Sequence, residues 1–149
     1  MNPTLSLDIL FYSTESREKL EKCITNLLGY LPQLIEEEYK DHLILRGNEV
    51  KIESLQYLFD YIRKAKILDT VRRCVFIDNE KQELVFNFHK QALYVNKIAI
   101  ITRDTSSPLG NLRLKIKASD PLIILDWIAP ETEEGHEITK RSFEEIYQL

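Results

Sequence analysis

Three cations at alternate positions are the residues whose spacing most clearly suggests chemistry: Arg113, Lys115 and Lys117. The residue before each of them is aliphatic, and successive side chains of a β-strand point to opposite faces, so the three cations would share one face. Neighbours on that face lie about 6–7 Å apart, close to the phosphate spacing of a single nucleic-acid strand. The row therefore indicates a phosphate-binding strand. An ordinary solvent-facing strand, or pairing with carboxylates on a neighbouring strand, would explain it equally well.

The distribution of charge along the chain favours an anionic partner for this row. The net charge is −4 over 149 residues, but it is uneven. Residues 1–62 hold six Lys/Arg and eleven Asp/Glu, residues 63–117 hold twelve and five, and residues 118–149 hold two and eight. A basic middle between acidic ends indicates either a nucleic-acid partner or charge pairing between protein segments.

Other residues in the basic middle could extend such a surface. Its supporting cations include Arg63, Lys64, Lys66, Arg72, Arg73, Lys90, Lys97 and Arg103. Tyr57, Tyr61 and Tyr94 could stack on unpaired bases, although tyrosines at helical spacing also serve as half-buried packing residues.

No arrangement of residues typical of an active site is found. His42, His89 and His136 are scattered and have no metal-ligand spacing, and no Walker loop, G-x-S-x-G or G-x-G-x-x-G is present. Cys23 and Cys74 are the only cysteines, which favours a reducing compartment. The sequence therefore predicts a protein without enzymatic activity, cofactor or metal.

The apolar periodicity predicts an α+β fold with a mostly antiparallel sheet and two or three helices packed on one face. Strands are predicted at 5–11, 34–39, 43–52, 84–88, 98–102 and 112–118, with a turn or bulge at Gly47-Asn48. Helices are predicted from Ser13 to Gly29, from Ser54 to about 66, and from Asp120-Pro121 to about 129, and a short one is expected near 69–74. Residues 90–96 are predicted to form a loop or a helical turn.

Residues 1–130 are predicted to form a single α+β domain, followed by an acidic C-terminal tail at 131–149 that could contain a short helix. Residues 131–137 are expected to be mobile. No signal peptide precedes the first strand, and the longest apolar run, 122–125, is too short to span a bilayer. The sequence therefore predicts a cytoplasmic protein.

Two segments of the chain form recognisable motifs. They are Phe11-Tyr12-Ser13-Thr14-Glu15-Ser16 before an amphipathic helix, and Leu84-Val85-Phe86-Asn87-Phe88-His89-Lys90-Gln91-Ala92-Leu93-Tyr94 after an acidic turn. Both resemble a family of archaeal proteins described as RNA-binding and sometimes as predicted exosome subunits. The resemblance covers about residues 5–128. It implies an archaeal source and the fold of the large-subunit ribosomal protein that binds 5S ribosomal RNA. This chain has Asp41-His42-Leu43 where the family has a glycine-containing run, and His89 where the family has Asp.

Carried over by position, the resemblance adds Lys90, Gln91, Tyr94 and His42 to the strand-borne row, and the basic middle adds Arg103. The candidate RNA-binding residues are Arg113, Lys115, Lys117, Lys90, Gln91, Tyr94, Arg103 and His42. The chain is interpreted as a non-catalytic RNA-binding protein, an accessory to exosome-related RNA processing or to ribosome assembly. The alternative is a protein-interaction module or a homo-oligomeric module, such as a dimer, that pairs acidic ends with a basic middle. The tail could also cover the basic face of its own chain.

Overall fold

The computed structural model describes residues 3–40, 42–101, 110–134, 136–137 and 141–147. The strands are β1 (Thr4–Phe11), β2 (Ile35–Tyr39), β3 (His42–Val50), β4 (Phe76–Asp78), β5 (Glu83–His89), β6 (Ile100–Ile101), β7 (Asn111–Lys117), β8 (Thr132–Glu133) and β9 (His136–Glu137). The helices are α1 (Arg17–Leu28), α2 (Ser54–Ala65), α3 (Leu68–Cys74), α4 (Lys90–Tyr94), α5 (Pro121–Ile128) and α6 (Phe143–Tyr147).

Seven strands form one open antiparallel sheet in the order β2-β3-β1-β7-β5-β4, with β6 paired to β5. Strands β8 and β9 pair separately as a small hairpin. The strand that carries the three cations, β7, therefore lies at the centre of the sheet between β1 and β5. The prediction of an α+β fold with a mostly antiparallel sheet is confirmed.

The core forms on one face of this sheet because the apolar side chains of β1, β5 and β7 all point to it. In β7 these are Leu112, Leu114 and Ile116, each fully buried. Helices α1, α2 and α5 cover that face with their own buried stripes. Burying one such side chain contributes about 1.5–3 kcal/mol, so the aliphatic half of the alternation fixes which way the cationic half points.

Helix ends follow the sequence signals in most places. Helix α1 ends at Gly29, whose φ of 83° is in the left-handed region and whose N–H donates to the carbonyl oxygen of Thr25 at 2.8 Å. At the start of α5, Asp120 occupies the N-cap position and Pro121 follows it, although the Asp120 carboxylate makes no capping hydrogen bond. Residues 90–94 form a helical turn, which is one of the two alternatives predicted.

The strand pairing resolves the alternatives at Gly47-Asn48. Strand β3 runs through this dipeptide, and Leu5 pairs with Val50 while Leu7 pairs with Gly47. The extra residue in β3 is a β-bulge, so the chain does not turn here. Strand β4 was not predicted, because three residues are too short to show an alternation.

The described residues beyond 130 contact the helical layer. The hydroxyl of Thr132 donates to the carboxylate of Asp69 at 2.6 Å, the ring of Phe143 lies 5.6 Å from that of Trp127, and Ile146 is fully buried. Strands β8 and β9 pair within the segment for which the sequence predicted mobility. In the described ranges, no helix is long and apolar enough to cross a bilayer.

Candidate nucleic-acid interface

The cation row of β7 (Arg113, Lys115 and Lys117) lies on the sheet face that α1, α2 and α5 do not cover. Arg113 and Lys117 are exposed, and Lys115 is half-buried. The three side chains alternate with the buried aliphatic residues of the same strand, as the sequence predicted. The row therefore presents three cationic groups to solvent in a line along the central strand.

The residues directly opposite the row on the neighbouring strands are mostly uncharged. They are Thr4, Ser6 and Asp8 on β1, and Glu83, Val85 and Asn87 on β5. Among the residues that the structure describes, no carboxylate lies within 4.0 Å of any of the three cationic groups. Asp8 and Glu83 lower the potential of the row, but they do not form ion pairs with it.

A fourth cation on the same face behaves differently. Arg46 on β3 forms an ion pair with Glu37 at 3.2 Å, and it pairs in register with Asp8. Asp8 thus lies between Arg46 and Arg113 in adjacent strands. The row on β7 is for this reason the part of the face best able to meet an external anion.

Lys90 does not lie on this surface. It is 4% exposed, and its ammonium donates to both carboxylate oxygens of Glu15 at 3.0 Å and to the carbonyl oxygen of Leu10 at 2.9 Å. Burial lowers the pKa of Lys90, and the hydrogen bond to Glu15 opposes that shift. All three donors of the ammonium are used inside the protein, so Lys90 positions the β1–α1 connection and is not available to a phosphate.

The two segments that carry the family resemblance meet at this ion pair, and together with α1 they line a pocket of about 440 Å³. The carboxylate of Glu15 also accepts the N–H of Tyr12 at 3.0 Å, and the thiol of Cys23 donates to the carbonyl oxygen of Lys90 at 3.2 Å. Burial raises the pKa of Cys23 to about 11, so the thiol is neutral at physiological pH. The Lys90 ammonium, the Glu15 carboxylate and the Cys23 thiol at the floor of this pocket thus all have hydrogen-bond partners within the protein.

Gln91 and Tyr94 lie at the rim of the same pocket. Gln91 is exposed, whereas Tyr94 is half-buried. The ammonium groups of Lys22 and Lys19 lie 4.7 and 5.6 Å from the centroid of the Tyr94 ring. This cation–π contact already engages the aromatic face that the sequence suggested for base stacking.

His42 lies near the same tyrosine ring as Lys90 and does not belong to the row. The ring of His42 lies 5.0 Å from that of Tyr12, and the Lys90 ammonium lies 5.6 Å from the same tyrosine ring. Arg103 lies outside the described residues. Of the eight candidates, the structure thus places three in the row and Lys90, Gln91 and Tyr94 around one pocket, while His42 lies beside Tyr12.

Two supporting cations of the basic middle are used by the acidic end of the chain. A guanidinium N–H of Arg63 donates to Glu137 at 2.6 Å. Arg72 pairs with Asp126 at 2.9 Å and with Glu131 at 3.6 Å. Part of the charge asymmetry seen in the sequence is therefore neutralised within the helical layer.

A second groove, of about 600 Å³, opens between α2 and the turn that follows α4. It collects Tyr57, Tyr61, Lys64 and Lys97, which the sequence had singled out, and adds Asn96, which it had not. Asn96 has a φ of 57°, and the left-handed region favours Asn and Gly. That preference is the one signal that could have drawn attention to this residue.

The fold and the row define the class as an α+β protein with an open, mostly antiparallel sheet and a cation row on its central strand that forms no ion pair within the described residues. The chain belongs to the family described as RNA binding, whose model matches residues 4–118. The matched range includes the row, both pockets and the two segments that carried the resemblance.

The relatives are archaeal. The UPF0201 protein of Pyrococcus horikoshii is 30% identical over 131 residues, which cover 88% of this chain and 92% of that protein. The UPF0201 protein of Sulfolobus acidocaldarius is 28% identical over 122 residues, covering 82% and 83%. The crystal structure of a UPF0201 protein from Methanococcus jannaschii has the same fold, with a TM-score of 0.72, 24% identity and coverage of 91% and 98%. Membership of an archaeal family described as RNA binding is confirmed, whereas the links to the exosome and to the ribosomal-protein fold stay predictions.

Proposed function

We propose that the protein binds RNA without catalysing a reaction on it, and that the cation row of β7 contacts the phosphates. The observation that carries the proposal is the row itself: three cations on the central strand of an uncovered sheet face, with no carboxylate within 4.0 Å among the described residues. Membership of the RNA-binding family supports the choice of RNA as the anion.

The row suits a polyphosphate better than a single anion. Its members repeat at about 6–7 Å, so three successive phosphates can each meet one cation. Arg113 can donate two parallel N–H groups to one phosphate, whereas Lys115 and Lys117 act as point charges. Like charges in a row repel one another, and a bound phosphate backbone removes that repulsion.

Such a protein would act as a cytoplasmic accessory that holds RNA for other components. The row supplies contacts to phosphates, which do not depend on sequence, so base-edge contacts would have to come from elsewhere. We place this accessory role in exosome-related RNA processing or in ribosome assembly. Exposed Gln91 is the family-derived candidate for a base-edge or 2′-OH contact.

The test is the salt dependence of binding to a labelled single-stranded RNA of about 12 nucleotides. The triple variant Arg113→Ala/Lys115→Ala/Lys117→Ala should reduce the slope of log K against log salt by about 2, because each lost phosphate contact removes about 0.7. Because we propose that the protein does not act on the RNA as an enzyme, the RNA should be recovered at full length after binding. The matched control removes three exposed cations elsewhere, Lys51, Lys66 and Arg73, and should keep the wild-type slope. Equal slopes for the two triple variants would refute the role of the row.

A second candidate function is self-assembly through the same face. Ile35 is 51% exposed there, and Leu10, Ile44 and Val85 are half-buried beside the cations. An uncovered face that mixes apolar and charged groups also suits a protein partner. A dimer in sedimentation that dissociates with salt, together with no RNA affinity, would favour this reading.

A further inference from the structure

The groove between α2 and the turn after α4 contains an aromatic ring that is held in place yet open on one side. Tyr57 is 44% exposed. Its ring packs against Gly29, where an added Cβ would lie 2.8 Å from the Cδ2 atom of Tyr57. The ring of Tyr61 meets it edge-on, with the centroids 6.3 Å apart and the planes at 78°. Tyr57 is therefore a preorganised platform for a flat ligand.

The polar groups of the groove are arranged around this platform. The hydroxyl of Tyr61 donates to Oδ1 of Asn96 at 3.1 Å, and this bond fixes the orientation of the amide. Burial raises the pKa of Tyr61, which keeps the hydroxyl a donor at neutral pH. The Asn96 NH₂ group forms no hydrogen bond among the described residues, so it presents two donors at the groove.

The charges of the groove favour an anionic ligand. Lys64 and Lys97 are exposed at its walls, and among the described residues neither has a carboxylate within 4.0 Å. The one acidic wall residue, Asp60, accepts a hydrogen bond from the side chain of Gln56 at 3.3 Å. The groove therefore combines one aromatic platform, two amide donors and two cations that have no ion-pair partner in the part of the chain that the structure describes.

We propose that this groove binds one ribonucleotide: the base stacks on Tyr57, its acceptor edge meets the amide of Asn96, and Lys64 and Lys97 contact the phosphate. Stacking suits any base, because every base has a π-face, and the amide donors add a preference for an acceptor edge. The inference rests on the proposed RNA binding for the case in which the nucleotide belongs to an RNA strand. A free mononucleotide has the same chemistry. The groove lies in the helical layer, so it is separate from the row on the opposite sheet face.

The test uses the full chain and compares variants that keep the backbone conformation. Tyr57→Ala should weaken binding of the 12-nucleotide RNA by about tenfold, whereas Tyr57→Phe keeps the stacking ring and should stay within about twofold. Asn96→Asp keeps the acceptor for Tyr61 and tolerates the left-handed φ, but it replaces the two donors with a negative charge. It should weaken binding at least as much as Tyr57→Ala. The folded state of each variant is checked by its urea transition.

Amide chemical shifts on titration with adenosine and uridine 5′-monophosphates distinguish the two sources of the ligand. Shifts at residues 57, 61 and 96 with either mononucleotide, lost in Tyr57→Ala, support a free-nucleotide site even if the RNA does not bind and the function proposed for the row fails. RNA binding weakened by Tyr57→Ala, without mononucleotide shifts, supports a site for a nucleotide within a strand. RNA affinity unchanged in both Tyr57→Ala and Asn96→Asp, with no mononucleotide shifts, would overturn the inference. The inference would also be overturned if the groove bound a phosphotyrosine peptide but neither RNA nor a mononucleotide.

Discussion

Lys115 lies on strand β7 and Lys90 directly follows the adjacent strand β5 as the first residue of α4, yet the structure uses these two lysines in opposite ways. Lys115 is half-buried on the uncovered face, with Ser6 and Val85 opposite it. Lys90 is 4% exposed and bound to Glu15. The difference comes from their positions: Lys115 belongs to the outward series of β7, whereas Lys90 begins α4 at the position that follows the inward series of β5.

This contrast shows how a resemblance and an alternation pattern should be combined. The resemblance drew attention to the segment around Lys90, which meets the segment around Glu15 in the structure. The alternation Leu84, Phe86 and Phe88 then places residue 90 on the buried side. A buried lysine needs a carboxylate or several carbonyl oxygens as partners, so its expected role is positioning rather than binding phosphate.

The largest expected effect is a difference in stability when each of the two lysines is replaced by methionine. Lys90→Met leaves the Glu15 carboxylate buried without its cation and should lower the free energy of unfolding by about 3–5 kcal/mol in urea denaturation. Lys115→Met removes no buried partner and should change stability by less than about 0.5 kcal/mol. RNA affinity should change in the reverse order, falling in Lys115→Met and staying within twofold in folded Lys90→Met.

The double variant Glu15→Gln/Lys90→Met is the control for this comparison. It removes the uncompensated carboxylate and should recover part of the lost stability. A stable Lys90→Met protein with greatly weakened RNA binding would contradict the assignment, because it would make Lys90 a ligand-binding residue.

The second prediction concerns the pH dependence of the buried region. The pKa of Cys23 is raised from 9.0 to about 11 in the folded protein, so its contribution to stability is fully present below pH 9 and is lost as the pH rises to 11. The free energy of unfolding of wild type relative to Cys23→Ala should therefore fall by about 2 kcal/mol across this range. The difference between the two proteins removes the common titration of Lys90. A constant difference would mean that the thiol is not desolvated.

The third prediction concerns the carboxylates next to the exposed cation row. Asp8→Asn/Glu83→Gln removes the two carboxylates that stand opposite Arg113 and Lys117. Each should strengthen RNA binding by about 0.5 kcal/mol, or about fivefold together, at low salt. The control Glu133→Gln/Glu144→Gln makes the same change in net charge at two other exposed carboxylates. Equal effects of the two pairs would indicate long-range attraction and not a local site on the sheet.

The sequence predicted the parts of this structure that follow from local periodicity. The inward series of β1, β5 and β7 and the apolar stripes of α1 and α2 lie where they were expected, and so do the cations of the row. Contacts between distant segments could not be predicted. Arg63 and Glu137 are 74 positions apart, and only the docking of the hairpin beyond Pro130 brings them together. The groove could not be predicted from the sequence for the same reason, because Asn96 becomes a site residue only through its contact with Tyr61.

The smallest expected effect concerns the acidic end of the chain. Glu131→Gln/Glu137→Gln releases Arg72 and Arg63 from their terminal partners while leaving the buried Ile146 in place, which truncation at 130 would not do. Arg63 keeps the carbonyl oxygens of Trp127 and Ile128 as acceptors, so stability should fall by less than about 1 kcal/mol.

RNA affinity of this charge-neutralised variant should stay within about twofold at moderate salt, because both arginines lie in the helical layer away from the row. An affinity that rises more than about fivefold would show that the acidic end screens an RNA surface in its own chain. In that case Arg63 and Arg72 would join the groove at Tyr57 as the principal RNA-binding region, and the row on β7 would become the better candidate for contact with a second protein.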